Sequence, residues 1–225
     1  MKSKFPNLPE RESRFLSASV EFRAAAEPDA YPVVRGYAAK FDSRSENLGS
    51  ADHQFYEVLD RGAFDDVLKD DVRALFNHES SAILARSKNG EGTLKIGTDD
   101  VGLWYEFIPP DTQVGRDLVT SLQRGDVDQS SFSFTVSPEG QRWEEKRNGD
   151  GPMVATRTIT KVSRLYDVSP VTYPAYPDAT VALRSLEKFR MEQEPETPEP
   201  TVQYNPDLCP RQRHYSRVIN KTASN

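Results

Sequence analysis

The chain has 225 residues, 36% of them hydrophobic, a formal net charge of -6 and a mean hydropathy of -0.70, which allows one large domain or two small ones. Its single cysteine, Cys209, excludes a disulfide framework and a cysteine-based zinc site, and the interspersed charges leave no basic field to draw nucleic acid. No 18-residue apolar run exists to span a membrane, and the opening "MKSKFPNLPERESRF" lacks the apolar core of a secretory signal, so a soluble protein is expected, of a composition that suits a reducing cytoplasm.

Polar residues gather at the two ends, while roughly 15–185 holds enough Val, Leu, Ile, Phe and Tyr for one core. Residues 1–13 are expected to be disordered, 14–190 to form the folded domain, and 191–225 to be a tail, first acidic and Pro-rich and then basic. Within the domain, "RFLSASVEFRA" (14–24) alternates, and "YPVVRGYAAKF" (31–41) reads as its hairpin partner. A Ser/Asn/Gly-rich loop follows at 43–54. "FYEVLDRGAF" then begins as a strand, and "GAFDDVLKD" (62–70) spaces Phe64, Val67 and Leu68 as a helix would. "DVRALFNHES" (71–80) is a short apolar run ending in His78.

Between 82 and 109, three strand-like runs are broken by "KNGEG" and "TDDVG", which predicts an antiparallel meander. "DTQVGRDLVTSLQRGD" (111–126) predicts a helix capped by Asp111 or Thr112, with Val114, Leu118, Val119 and Leu122 on one face and Gly125 closing it. "DVDQSSFSFTV" (126–136) comes next and alternates strictly: Phe132, Phe134 and Val136 on one parity, Ser131, Ser133 and Thr135 on the other. A hairpin with "NGDGP" at its tip leads into a long alternating arm over 153–168. "TYPAYP" (172–177) is too Pro-interrupted for a central strand, and 178–192 is at best a short amphipathic helix. Seven to nine strands at hairpin spacing with two or three short helices predict a mainly β (α+β) fold, an antiparallel barrel or sandwich.

Three histidines, at 53, 78 and 214, limit the chemistry. His53 sits in a polar loop and His214 in the tail, whereas His78 ends a strand-like run that can fix its ring. It reads either as a half-buried ring bonded to a carbonyl or as a base. Ser131 reads either as one hydroxyl of a polar strand face or as a nucleophile, which needs a base to take its proton. Asp167, the one acid in "SRLYDVSPV", either faces water from an edge strand or has a partner, as the third member of a serine–histidine pair would. "KNGEGT" lacks the context of a phosphate loop, "RNGDGP" lacks the carboxylates of a calcium loop, and no histidine pair has metal-ligand spacing.

Taken in order, "FNHESSAILARSKNGEGTLKI", "DDVGLWYEFIPPDTQVGRDLVTSLQRGDVDQSSFSFTV" and "YDVSPVTYPAYPDATVALRS" resemble the HK97-type prohead maturation proteases of tailed bacteriophages, over about residues 15–185. The ordered set carries the resemblance: Asn-His-acid, a turn-rich meander, a helix ending in Arg-Gly-Asp, Ser-Phe-x-Phe, then acid-Val-Ser-Pro-Val-x-x-Pro-Ala-Tyr-Pro. It implies a serine endopeptidase with a β-barrel and a few surrounding helices, akin to the herpesvirus assembly proteases. It aligns His78 with the general base, Ser131 with the nucleophile and Asp167 with the acidic member, where the family commonly has Glu. Ser133 stands where the family often has Gly.

The resemblance further implies cleavage of the scaffolding segment of the major capsid protein, or of a separate scaffold protein. Self-cleavage is implied too, with the tail after about 190 as the exposed target, as is a possible homo-oligomer inside the prohead in the bacterial host cytoplasm. No cofactor, metal, membrane or nucleic acid is called for. Two other readings of the same residues are a non-catalytic capsid-assembly or scaffold protein that keeps the barrel, and a generic cytosolic binding domain. The first predicts that Ser131→Ala leaves maturation unchanged, and the second makes no demand that His78, Ser131 and Asp167 converge.

Overall fold

The computed structural model describes residues 11–23, 32–51, 53–147, 149, 151–173, 186 and 190. All but Arg190 belong to one compact unit, residues 1–189; residues 190–225 form a second. Twelve strands and one α-helix are described: β1 (Glu12–Arg23), β2 (Val33–Lys40), β3 (His53–Leu59), β4 (Val72–Leu75), β5 (Ile83–Lys88), β6 (Glu91–Gly92), β7 (Leu94–Thr98), β8 (Gly102–Phe107), α1 (Gln113–Arg124), β9 (Gln129–Thr135), β10 (Gln141–Arg147), β11 (Met153–Ile159) and β12 (Arg164–Val171). They form a nine-stranded sheet, β6-β5-β4-β12-β9-β1-β2-β8-β7, and a three-stranded sheet, β10-β11-β3. The expected β1–β2 hairpin forms, and the mainly β class holds.

The expected closed barrel is not found. Only Thr93 lies between β6 and β7, the two edge strands, so the edges come within about 7 Å of each other there and the sheet must curl. No ladder joins them, and the sheet is not a closed barrel. Nor is the pairing wholly antiparallel: β4 runs parallel to β12, and β3 parallel to β11.

Three local expectations are corrected. The meander over 82–109 is split, because β5 pairs with β4 and β6 while β7 pairs only with β8 at the far edge. Asn89 and Gly90, at φ 58° and 82°, make the tight turn that "KNGEG" calls for. Gly92 then takes φ 137°, where a Cβ would stand 2.2 Å from the Arg86 carbonyl oxygen, and the chain leaves the hairpin after two pairs. Residues 61–69 form consecutive turns bonded i to i+3, such as Val67 N–H to Phe64 C=O at 3.0 Å, instead of a helix. Gly62, Asp65 and Asp66 are poor helix formers, and the turns still bury Ala63, Phe64 and Val67. The long arm over 153–168 is two strands in different sheets, broken between Ile159 and Arg164.

Helix α1 follows its sequence signals. Thr112 is the N-cap, its hydroxyl accepting from Gly115 N–H at 3.3 Å, and Gly125 closes the helix at φ 77°. Leu118 and Leu122 are buried on the expected face. Of the expected helix over 178–192, only Leu186 and Arg190 are described, both helical; residues 174–177 of "TYPAYP" lie outside the described residues.

The parity of β9 organises the core. Phe132 stacks on Phe134 with ring centroids 4.8 Å apart and meets Phe64 edge-on at 5.7 Å. Full burial of each ring is worth about 2–3 kcal/mol. Ser130 shares this face and bonds the Tyr105 hydroxyl at 2.7 Å. Gly36 leaves room for that pair, since a Cβ there would lie 2.8 Å from the Tyr105 oxygen.

Charge also enters the interior. Glu12 and Arg14 of β1 meet Glu57 of β3 and Arg157 of β11, all buried, and so tie the two sheets together. Arg157 bonds Glu12 at 2.7 and 2.9 Å, Glu57 at 2.7 Å and Gln141 at 2.6 Å. Burial pushes the Glu57 carboxyl up, but the Arg14 and Arg157 guanidiniums outweigh it and hold its pKa down at about 2.

Candidate active site

The hydroxyl face of β9 points away from the phenylalanines, toward the place where β1, β12 and the turn after β4 meet. Because β4 and β12 run parallel, the chain leaving β4 stays level with the end of β12, and Asn77 N–H bonds Pro170 C=O at 3.1 Å. Asn77 and His78 both take left-handed backbone, at φ 53° and 59°. That conformation is costly for residues with a Cβ and is held here by outside contacts. Asn77 supplies two: its Oδ1 accepts from Thr172 N–H at 2.8 Å, and its Nδ2 donates to Thr172 Oγ1 at 3.1 Å.

Strand β12 reaches the same place through a β-bulge. Leu165 faces Phe134 and Asp167 faces Ser133, so Tyr166 is the extra residue. Without it, Asp167 would oppose Phe132 on the core face; with it, Asp167 and Ser169 join the hydroxyl face while Leu165 and Val168 stay in the core. Asp167 is therefore neither on an edge strand nor facing water: it is 1% exposed, and β12 lies between β4 and β9.

Here His78, Ser131 and Asp167 come together. His78 Nδ1 is 2.5 Å from Asp167 Oδ1, and His78 Nε2 is 2.6 Å from Ser131 Oγ. A carboxylate only accepts, so Nδ1 carries the proton to Asp167, and the neutral ring leaves Nε2 as acceptor for the Ser131 hydroxyl. Burial alone would raise the Asp167 pKa. The hydrogen bonds from the His78 ring and the Ser169 hydroxyl (3.0 Å from Oδ1) and the charge of Arg11 together hold it below the usual range, so the carboxyl is ionised at neutral pH. Arg14 C=O on β1, 2.9 Å from Ser131 Oγ, competes with Nε2 for the single hydroxyl proton, and Ser131 has no exposed surface. A hydroxyl, an imidazole and a buried carboxylate linked in this order can take the proton off a serine oxygen.

The remaining hydroxyls separate by partner. Ser130 is bonded into the core, away from the ring. Ser133 accepts from Arg11 Nε at 3.2 Å and meets the Ser13 hydroxyl at 2.7 Å, so it serves the contact with β1. His53 opens β3 in an exposed position, and His214 lies outside the described residues. Among the described residues, no group of three or more His, Cys, Asp or Glu stands close enough to hold a metal ion, and no helix is long and apolar enough to cross a membrane. Arg11, Asn77 and Ser169 are site residues that the sequence reading missed. For Asn77, its place beside His78 was an available signal.

The family described as caudovirus prohead serine protease matches residues 18–193. A search of curated proteins finds no match. Among solved structures, the bacteriophage T4 capsid assembly protease is similar at 9% identity and a TM-score of 0.37, covering 75% of this chain and 100% of its own. The matched span takes in most of the domain and all three converging residues, and on that match the chain belongs to the caudovirus prohead serine protease family.

Proposed function

We propose that this chain is a serine endopeptidase in which Ser131 is the nucleophile, His78 the general base and then acid, and Asp167 the group that orients and stabilises the ring. One observation carries the reading: the unbroken run from Ser131 Oγ to His78 Nε2 at 2.6 Å and from His78 Nδ1 to Asp167 Oδ1 at 2.5 Å. In the first step Ser131 Oγ attacks the scissile carbonyl carbon as its proton passes to Nε2. The imidazolium keeps its Nδ1–H on Asp167, whose negative charge offsets the new positive one. Collapse of the tetrahedral intermediate breaks the C–N bond, and the leaving amine takes the proton from Nε2. Water then attacks the acyl-enzyme, gives one proton to Nε2 and releases the carboxyl product. Ser131 recovers its proton from the ring. Since Ser131 is fully buried, a peptide reaches Oγ only when the groups over it move aside.

The substrate in this reading is the scaffolding segment of the major capsid protein, or a separate scaffold protein, cut inside the assembling prohead in the bacterial host. The protease domain is 14–190, joined through β1 to residues 11–13, and the tail 191–225 is the target of self-cleavage. The curled nine-stranded sheet supports an opened relative of the herpesvirus assembly protease barrel. The test is co-expression with the capsid protein, wild type against Ser131→Ala. Truncated capsid protein should form with the wild type alone. Truncation by the Ser131→Ala chain would overturn the reading, and maturation unchanged by the substitution is what a non-catalytic scaffold protein requires.

A further inference from the structure

Asp167 is one methylene shorter than the glutamate common in the family, yet it reaches the His78 ring, and its two oxygens divide the work. Oδ1 takes the ring Nδ1–H and the Ser169 hydroxyl, while Oδ2 takes the guanidinium of Arg11. Arg11 is fixed from three sides: by Asp167, by Ser133 Oγ at 3.2 Å, and by the Tyr166 ring beneath it, whose centroid is 4.8 Å away. Without Arg11, Oδ2 of a carboxylate that is 1% exposed would lose its charged partner.

We propose that Arg11 is a positioning residue for the reaction: it clamps Asp167 so that Oδ1 faces the ring, and its charge limits how strongly the carboxylate holds a protonated ring. This rests on the protease reading given above. Arg11 lies before the span that the family matches, at residues 18–193, so the clamp is supplied from outside that span. Arg11 immediately precedes β1, and the alternation runs on into the strand: Arg11 and Ser13 turn to the site, while Glu12 and Arg14 enter the buried ion network with Glu57 and Arg157. That network fixes the position of β1 and, through it, the reach of Arg11.

The charged groups in contact along this path are few. His78 meets Asp167; Asp167 meets His78 and Arg11; Tyr166, under Arg11, also carries the Arg164 guanidinium at 4.8 Å. Glu12, Arg14, Glu57 and Arg157 pair among themselves on the other face of β1.

The test uses the full chain and a fluorogenic peptide spanning the junction found in truncated capsid protein. Arg11→Ala should lower kcat about 10- to 100-fold with KM within about twofold, because the clamp orients the ring and touches no substrate. The acid limb of its kcat/KM profile should move to higher pH, since removing the cation strengthens the hold of Asp167 on a protonated ring. Guanidinium chloride at tens of millimolar should restore part of the lost rate, where sodium chloride at equal ionic strength does not; Arg11→Lys should retain more activity than Arg11→Ala. A purely structural role predicts a lower Tm with the acid limb unmoved and no rescue, and that result overturns the proposal. If the wild type cleaves in a Ser131-dependent way and Arg11→Ala matches it, the Arg11 proposal alone fails. If wild-type cleavage does not depend on Ser131, the protease reading fails first.

Discussion

Replacing Arg157 by Met tests whether the buried ion network holds the two sheets together. Arg157 is 1% exposed and gives four hydrogen bonds, two to Glu12 and one each to Glu57 and Gln141. Methionine fills much of the volume but leaves two buried carboxylates facing Arg14 alone, a net charge of about -1 out of water. Removing one partner of a buried pair costs about 3–5 kcal/mol, which for a domain of this size lowers Tm by roughly 6–20 °C. The pH dependence gives the sharper check. In the wild type the Glu57 carboxyl is held down at about 2, so its contribution is full above the unfolded value near 4.5 and fades only as pH falls toward 2. In the variant, burial is less opposed and a carboxyl pKa rises above its unfolded value. The variant should therefore gain stability relative to wild type as pH drops from 8 to 5. Urea melts at the two pH values measure both effects, and Arg157→Met/Glu57→Gln should recover about 1–3 kcal/mol by restoring charge balance. A variant within 1 kcal/mol of wild type, or a deficit that widens toward pH 5, would refute the reasoning.

Asp167→Asn should fold with wild-type circular dichroism but lose on the order of 10⁴ in kcat, because an amide supports the wrong ring tautomer and stabilises no imidazolium. Asn77→Ala should lower cleavage and cost about 1–2 kcal/mol, since it removes two bonds to Thr172 and places alanine at φ 53°; Asn77→Gly, which tolerates that backbone, isolates the bonds. Gly125→Ala, at φ 77° with nothing within 4 Å, should cost about 1 kcal/mol in a thermal melt. Gly115→Ala should cost more, because its Cβ would stand 2.1 Å from the Pro110 carbonyl oxygen and the helix start would have to shift.

Much of the site was legible where local pattern decides structure. The alternation after Gln129 set Ser131, Ser133 and Thr135 opposite Phe132 and Phe134, and the same parity sent Ser130 to the core, where it meets Tyr105. Thr112 and Gly125 marked the ends of α1 because capping is a local property of the backbone. Pairing between distant strands left no such mark. Nothing in "KNGEGTLKI" says that β6 and β7 go to opposite edges of one sheet, and the parallel pairings of β4 with β12 and β3 with β11 are tertiary facts. The bulge at Tyr166 did leave a trace: Leu165 and Val168, both core residues, are three apart where a regular strand would space them by two or four. Arg11 was hidden by its setting. "PERESRF" reads as a polar terminus, and its alternation makes sense only once β1 lies between the site hydroxyls on one face and Glu57 with Arg157 on the other.

The central claim concerns one oxygen atom. A preparation actively cleaving capsid protein, stopped with a fluorophosphonate and mapped by peptide mass spectrometry, should carry the phosphonyl group on Ser131, with loss of fluoride and no label on Ser130 or Ser133. An adduct on another serine, or unmodified Ser131 in protein whose cleavage the reagent has stopped, would contradict the account.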